Sequence, residues 1–77
     1  MNIENLPDNT IILEPQNIYN HAIIKYDGVL YYSLDKLVDS FSEHTDLSYG
    51  EIIEHLEYNT WGYTPHDWPI LIDDLNE

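Results

Sequence analysis

The sequence predicts a single small α+β domain in which a β-hairpin is followed by two helices and a short C-terminal strand. Three observations predict this ββααβ order: an Asp-Gly pair between two β-prone runs, two amphipathic segments that each follow a capping serine, and a short apolar run after the last proline. A chain of 77 residues is long enough for one hydrophobic core. The sheet is expected to pack on the two helices.

The hairpin is predicted by its turn. The runs Ala22–Tyr26 and Val29–Tyr32 flank Asp27 and Gly28. This dipeptide suits a two-residue type I′ turn, in which both central residues have positive φ.

The N-terminal part is interpreted separately. Thr10–Glu14 is β-competent and is followed by Pro15, which interrupts regular structure. Residues 1–20 are therefore expected to form an N-terminal arm or an edge strand, and residues 21–77 the α+β domain.

Two helices follow the hairpin. Ser33 is a candidate N-cap for the first, which should end near His44 and bury Leu34, Leu37, Val38 and Phe41. Ser48 and Glu51 form a capping box for the second, which should bury Tyr49, Ile52, Ile53 and Leu56. Asn59 and Gly62 are stop signals, and Ile70–Ile72 is expected to be the final strand.

Charge is the extreme feature of the composition. Fifteen acidic residues and two lysines give a formal net charge of −13. Such a chain repels nucleic acid and anionic membranes, so its expected partner is the basic surface of a protein. The sequence has no cysteine, no apolar segment long enough to span a bilayer and no signal-peptide pattern, which predicts a cytoplasmic location.

Several short motifs resemble those of small bacteriophage and mobile-element proteins. The resemblance covers roughly residues 19–72, and its pieces are AII (Ala22–Ile24), DG followed by VLYYS, DKLV, SYGE, EYNT (Glu57–Thr60) and PI (Pro69–Ile70). Related proteins often carry a basic residue after Asn-Thr, where this chain has Trp61. The resemblance implies a phage or mobile-element origin, and hence action in the host cytoplasm.

The sequence gives no positive sign of catalysis. His44, His55 and His66 recur every 11 residues without the short ligand pairs typical of zinc sites. No nucleophile elbow or phosphate-binding loop is present, and carboxylate pairs are inevitable in so acidic a chain. We therefore expect neither an enzyme nor a bound metal or other cofactor.

The acidic residues of the two helices are the main candidate site. Asp35, Asp39 and Glu43 stand at i, i+4 and i+8, where like charges destabilise a helix by about 0.2–0.5 kcal/mol per pair. Glu54 and Glu57 lie towards the end of the second helix, where its dipole disfavours anions. One interpretation is a solvated face; the other is a surface that binds cations. The candidate partner-binding residues are Asp35, Asp39, Glu43, Asp46, Glu51, Glu54 and Glu57, with Trp61 and Tyr63 as apolar anchors.

Two functions are compatible with these observations. The first is nucleic-acid mimicry: a small acidic inhibitor occupies the basic groove of a host nucleic-acid-binding protein, such as a CRISPR effector or a restriction enzyme. The alternative is a non-catalytic interaction or regulatory module, as a monomer or a homodimer, that makes contact through its aromatic C-terminal segment. Those aromatic side chains would equally suit a satellite core that holds an irregular segment.

Overall fold

The structure is a computed structural model that describes residues 5–62 and 67–75. It confirms the α+β fold, a hairpin followed by helices and a C-terminal strand. The elements are α1 (Gln16–Tyr19), β1 (Ile23–Tyr26), β2 (Leu30–Ser33), α2 (Leu34–His44), α3 (Tyr49–His55) and β3 (Ile70–Ile72). A 3₁₀ turn (Asn20–Ala22) follows α1, and a π-helical turn (Leu56–Thr60) follows α3.

The hairpin forms as predicted, but its turn differs from the prediction. Tyr26 pairs with Leu30, so three residues rather than two connect the strands. Gly28 has φ of 82°, whereas Asp27 has no positive φ. The predicted type I′ turn is therefore wrong, because that turn requires positive φ at both central residues. The Asp27 N–H donates to the Val29 carbonyl over 3.0 Å inside the connection.

The sheet is mixed, with strand order β1-β2-β3. β1 and β2 are antiparallel, and β3 pairs in parallel with β2 through partners such as Tyr32 and Leu71. A parallel pair needs a long crossover connection, and the chain that contains α2 and α3 supplies it. The predicted strand at Ile70–Ile72 is confirmed.

The segment before the hairpin packs on the same core as the helices. Thr10–Glu14 forms no strand, so of the two predicted alternatives, an arm or an edge strand, the structure has no edge strand there. Leu13 is buried, and its backbone N–H donates to the Tyr32 hydroxyl over 3.1 Å. α1 then buries Ile18, whose carbonyl accepts a 2.7 Å hydrogen bond from the buried Ser40 hydroxyl of α2.

The helices bury the apolar stripes that the sequence predicts, with one exception. Leu34, Leu37 and Phe41 of α2 are buried, as are Ile52 and Leu56 after the second cap; Val38 and Ile53 are half-buried. Tyr49 is 58% exposed, so its predicted burial is wrong. It is the first residue of α3, and the buried stripe begins one turn later.

Aromatic rings fill the centre of the core. The Tyr19 ring meets those of Tyr32 and Phe41 edge-on, at centroid distances of 6.0 and 5.5 Å. Tyr32 also contacts the Trp61 ring at 6.1 Å. Edge-to-face pairs of this kind are favourable beyond the area they bury. They connect α1, the sheet, α2 and the chain after the π turn.

Candidate partner-binding surface

The acidic row of α2 comprises Asp35, Asp39 and Glu43. All three side chains are exposed, and their spacing places them on one face of the regular helix Leu34–His44. Four residues of α-helix rise about 6 Å, so the carboxylates are spaced at about that pitch. In the described part of the chain, hydrogen bonds reach the carboxylates of Glu51, Asp73 and Asp74 but none of the row.

The N-terminus of α2 is held by two layers of hydrogen bonds. The Ser33 hydroxyl oxygen accepts from the Lys36 N–H over 3.1 Å, as expected for an N-cap. The same hydroxyl donates to Asp74 over 2.6 Å, and the second Asp74 oxygen accepts from the Asp35 N–H over 2.9 Å. These two bonds, the Ser33 bond first, lower the pKa of Asp74.

The C-terminus of α2 is also satisfied. Thr45 donates to the Phe41 carbonyl with both its backbone N–H (2.9 Å) and its hydroxyl (2.6 Å). The His44 Nδ1 lies 2.8 Å from the Ser40 carbonyl, so this nitrogen carries the proton that is donated. The backbone that carries the acidic row is thus fixed at both ends.

The C-terminal half of the row borders positive or titratable groups. Asp39 and Glu43 line a shallow depression of about 190 Å³ together with His21, Lys36 and Ser40. The His21 ring stacks on the His44 ring at 6.0 Å with an interplanar angle of 21°. Sequence reasoning missed His21 because the 3₁₀ turn that carries it reaches α2 only through the tertiary fold.

The acidic residues after α2 do not form a second regular row. Asp46 is exposed between the helices. Glu51 closes the predicted capping box: it accepts from the Ser48 N–H over 2.8 Å, and its own N–H donates to the Ser48 hydroxyl over 3.3 Å. The bond from the Ser48 N–H, and after it the nearby Ser48 side chain, lower the pKa of the Glu51 carboxyl group.

Glu54 and Glu57 lie in two different helical segments. Both side chains are exposed, but Glu54 belongs to α3 and Glu57 to Leu56–Thr60. The Trp61 N–H bonds to the Leu56 carbonyl at 2.8 Å, five residues back, which is the π-helical spacing. Glu54 and Glu57 are three residues apart and lie in helical segments of different pitch, so they do not repeat the i, i+4, i+8 row of α2.

The predicted apolar anchors differ in their surroundings. Trp61 is half-buried: its ring contacts Tyr32, and its Nε1–H donates to the Pro69 carbonyl over 2.9 Å. Tyr58, three residues earlier, is 73% exposed and is an aromatic side chain that the described part of this segment offers to solvent. Tyr63 lies outside the described residues.

The candidate metal ligands are engaged within the protein or lie outside the described residues. Over residues 5–62 and 67–75, no three His, Cys, Asp or Glu side chains are grouped so that they could hold a metal ion. The His55 Nδ1 lies 3.1 Å from the Asn59 amide nitrogen and its ring tilts against Phe41. His66 is outside the described residues.

Two further findings bear on the class of protein. None of the helices in the described part of the chain is long and apolar enough to cross a membrane. The chain matches no protein-family model, no curated protein and no solved structure. A functional proposal therefore depends on the geometry and charge of the chain and on the short motifs of its sequence.

Proposed function

We propose that this protein is a non-catalytic inhibitor that occupies the basic nucleic-acid-binding groove of another protein. Its net charge of −13 favours association with a basic surface and disfavours binding to nucleic acid itself. The resemblance to phage and mobile-element proteins makes a host defence nuclease, such as a CRISPR effector or a restriction enzyme, the proposed target class. The proposed activity is anti-defence by steric competition, without a cofactor or a chemical step.

The observation that carries the proposal is the exposed acidic row on α2. Asp35, Asp39 and Glu43 stand on a regular helix that is capped at both ends, and their carboxylates accept no hydrogen bond in the described residues. Folding gains nothing from like charges at this spacing. A row of anions at a pitch of about 6 Å resembles the phosphates along a nucleic-acid strand.

A basic groove would supply what these carboxylates lack. Arginine and lysine side chains that bind phosphates can donate charge-assisted hydrogen bonds to carboxylates with similar geometry. Because the helix is already ordered, little conformational entropy is lost when the row binds. Lys36 and His21 beside the row would favour grooves that also present an acceptor near Asp39 and Glu43.

The proposal is tested by capture from a bacterial lysate with the immobilised chain, repeated with added double-stranded DNA and with increasing salt. A partner bound through mimicry is displaced by DNA, and its affinity falls steeply as salt screens the charges. A captured protein whose retention is unaffected by both DNA and salt contradicts the proposal.

Matched charge reversals then locate the contact. The double variant Asp39→Lys/Glu43→Lys should weaken binding at least about tenfold, because buried charged hydrogen bonds are each worth about 1.5–3 kcal/mol. The control Asp8→Lys/Asp27→Lys changes net charge by the same amount at exposed positions outside the row. Equal losses for the two variants would mean that only total charge matters, and that the row is not the site.

A second candidate is a protein-interaction module that makes contact through the aromatic segment, with or without homodimerisation. The observation that favours it is the exposure of Tyr58, a large aromatic side chain of the kind enriched at binding hot spots. Tyr58→Ala distinguishes the two candidates. Loss of partner binding in this variant, with binding retained by the α2 reversals, favours the module.

A further inference from the structure

A cleft of about 260 Å³ lies on another part of the molecule. Its lining includes Glu14, Tyr19, Asn59, Thr60 and Trp68. The segment before α1 forms one wall of the cleft. The π turn, Tyr19 and Trp68 form the rest of its lining. None of the acidic residues in the α2 row lines this cleft, so it is a separate feature of the surface.

The polar residues of the cleft offer several hydrogen-bond acceptors. Glu14 is the charged residue of its lining, and it is exposed. The Tyr19 and Thr60 hydroxyl oxygens bond to each other at 2.9 Å, so this bond engages one of the two hydroxyl protons, and both oxygens retain lone pairs. The Asn59 amide nitrogen donates to the His55 Nδ1 (3.1 Å), which leaves the Asn59 carbonyl oxygen as an acceptor.

The aromatic residues of the lining add carbon surface rather than donors. The Trp68 side chain is half-buried, but its Nε1–H is shielded from solvent and has no partner within the described residues. That donor is therefore not presented to a ligand in the cleft. Tyr19 is buried, and burial raises the pKa of its hydroxyl, which stays a neutral phenol.

We infer that this cleft binds the guanidinium group of an arginine side chain on the protein partner. The identity of that source rests on the proposed function, in which the partner is basic. A planar cation with five N–H donors matches a lining of carboxylate, amide and hydroxyl acceptors beside aromatic carbon surface. An anion would meet Glu14 and lone pairs, and a chain of net charge −13 repels it.

The test is an NMR titration of the ¹⁵N-labelled chain with a blocked tripeptide that has arginine at its centre. The expected result is saturable shifts of the Trp68 indole and Asn59 amide signals. A control peptide has citrulline in place of arginine, which has nearly the same shape but no charge. Its apparent affinity should be at least about tenfold weaker. Equal binding of the two peptides overturns the inference.

Two further measurements identify which residue binds the guanidinium group and which kind of molecule carries that group. Glu14→Gln should weaken binding of the arginine peptide about tenfold, whereas Asp27→Asn, an equal change of charge at an exposed position outside both the cleft and the α2 row, should leave it within about twofold. Equal effects of the two variants overturn the assignment of Glu14. Free arginine that binds more tightly than the blocked peptide identifies a small-molecule ligand and overturns the assignment to a protein side chain.

This titration and the test of the proposed function fail independently. The peptide assay contains no partner protein. An absence of shifts therefore overturns the assignment of the cleft and does not affect the proposed function of the α2 row. Partner binding that is insensitive to DNA and to the α2 reversals overturns the proposed function, while saturable arginine-specific shifts would still establish the guanidinium site.

Discussion

The two acidic helical segments begin alike and continue differently. α2 and α3 both follow a serine N-cap and carry an acidic residue in the first turn. α2 then continues for 11 residues as a regular helix, whereas α3 lasts 7 residues and passes into a π turn. The carboxylates four residues apart on α2 therefore form a straight row, whereas Glu51, Glu54 and Glu57, three residues apart, run from α3 into the π turn.

The difference arises from what each segment must contact. α2 buries a regular apolar stripe and is held at its start by Asp74, which is distant in sequence. The chain after α3 must instead bring the Trp61 ring to Tyr32. The π turn accommodates this change of direction, and Gly62 completes it: a Cβ there would lie 2.4 Å from the Tyr58 carbonyl oxygen. Of the two helical segments, α2 is thus the one that carries its acidic side chains in a straight row.

The largest expected effect concerns the chain after the π turn. Trp61→Ala should lower the free energy of unfolding by about 3 kcal/mol, because it removes ring packing on Tyr32 and the hydrogen bond to Pro69. Tyr58→Ala, three residues earlier at an exposed position, should change it by no more than about 0.5 kcal/mol. Urea denaturation followed by circular dichroism measures both.

This pair of variants also decides how binding data are interpreted. Loss of partner binding in Trp61→Ala would reflect loss of folding rather than loss of a contact. A small stability change in Trp61→Ala would contradict the structural role of Trp61 and restore it as a surface anchor.

Sequence alone predicts what depends on local spacing. The strands, both serine caps and the apolar stripe of α2 follow from residues a few positions apart, and the structure contains them. The 3₁₀ turn with His21, the π turn and the contact of Asp74 with Ser33 depend on residues far apart in the chain. No local pattern encodes these contacts, so sequence reasoning missed them.

The candidate site also has a part that sequence alone predicts and a part that it does not. The row on α2 could be predicted because helical periodicity fixes which side chains share a face. Its neighbours His21 and Lys36 could not both be predicted, since His21 reaches the row through the fold. The cleft beside Glu14 was also unpredictable, because its walls come from the N-terminal segment, the π turn and Trp68.

The second expected effect compares the two serine caps. Ser33→Ala should cost about 2 kcal/mol of unfolding free energy, and Ser48→Ala about 1 kcal/mol. Ser33 is buried and connects the Lys36 N–H to Asp74, so its loss removes two hydrogen bonds at the start of α2. Ser48 is exposed, and water can replace its hydroxyl. Chemical denaturation of the two variants under the same conditions gives the comparison, and equal costs would show that Asp74 adds nothing to the α2 cap.

The smallest expected effect is a pH dependence that belongs to the two caps. Hydrogen bonds lower the folded-state pKa of Asp74 below its ordinary value of 3.8 and that of Glu51 below 4.5. As pH falls below the ordinary pKa values, the unfolded chain binds more protons than the folded chain. The stability that these two carboxylates contribute is therefore complete above the ordinary values and is lost as pH falls through the folded-state pKa values. The stability difference between the natural chain and Asp74→Asn should therefore shrink between neutral pH and pH 3, as should that for Glu51→Gln. Differences that stay constant over this range would mean that neither carboxylate is bonded more strongly in the folded state than in the unfolded chain.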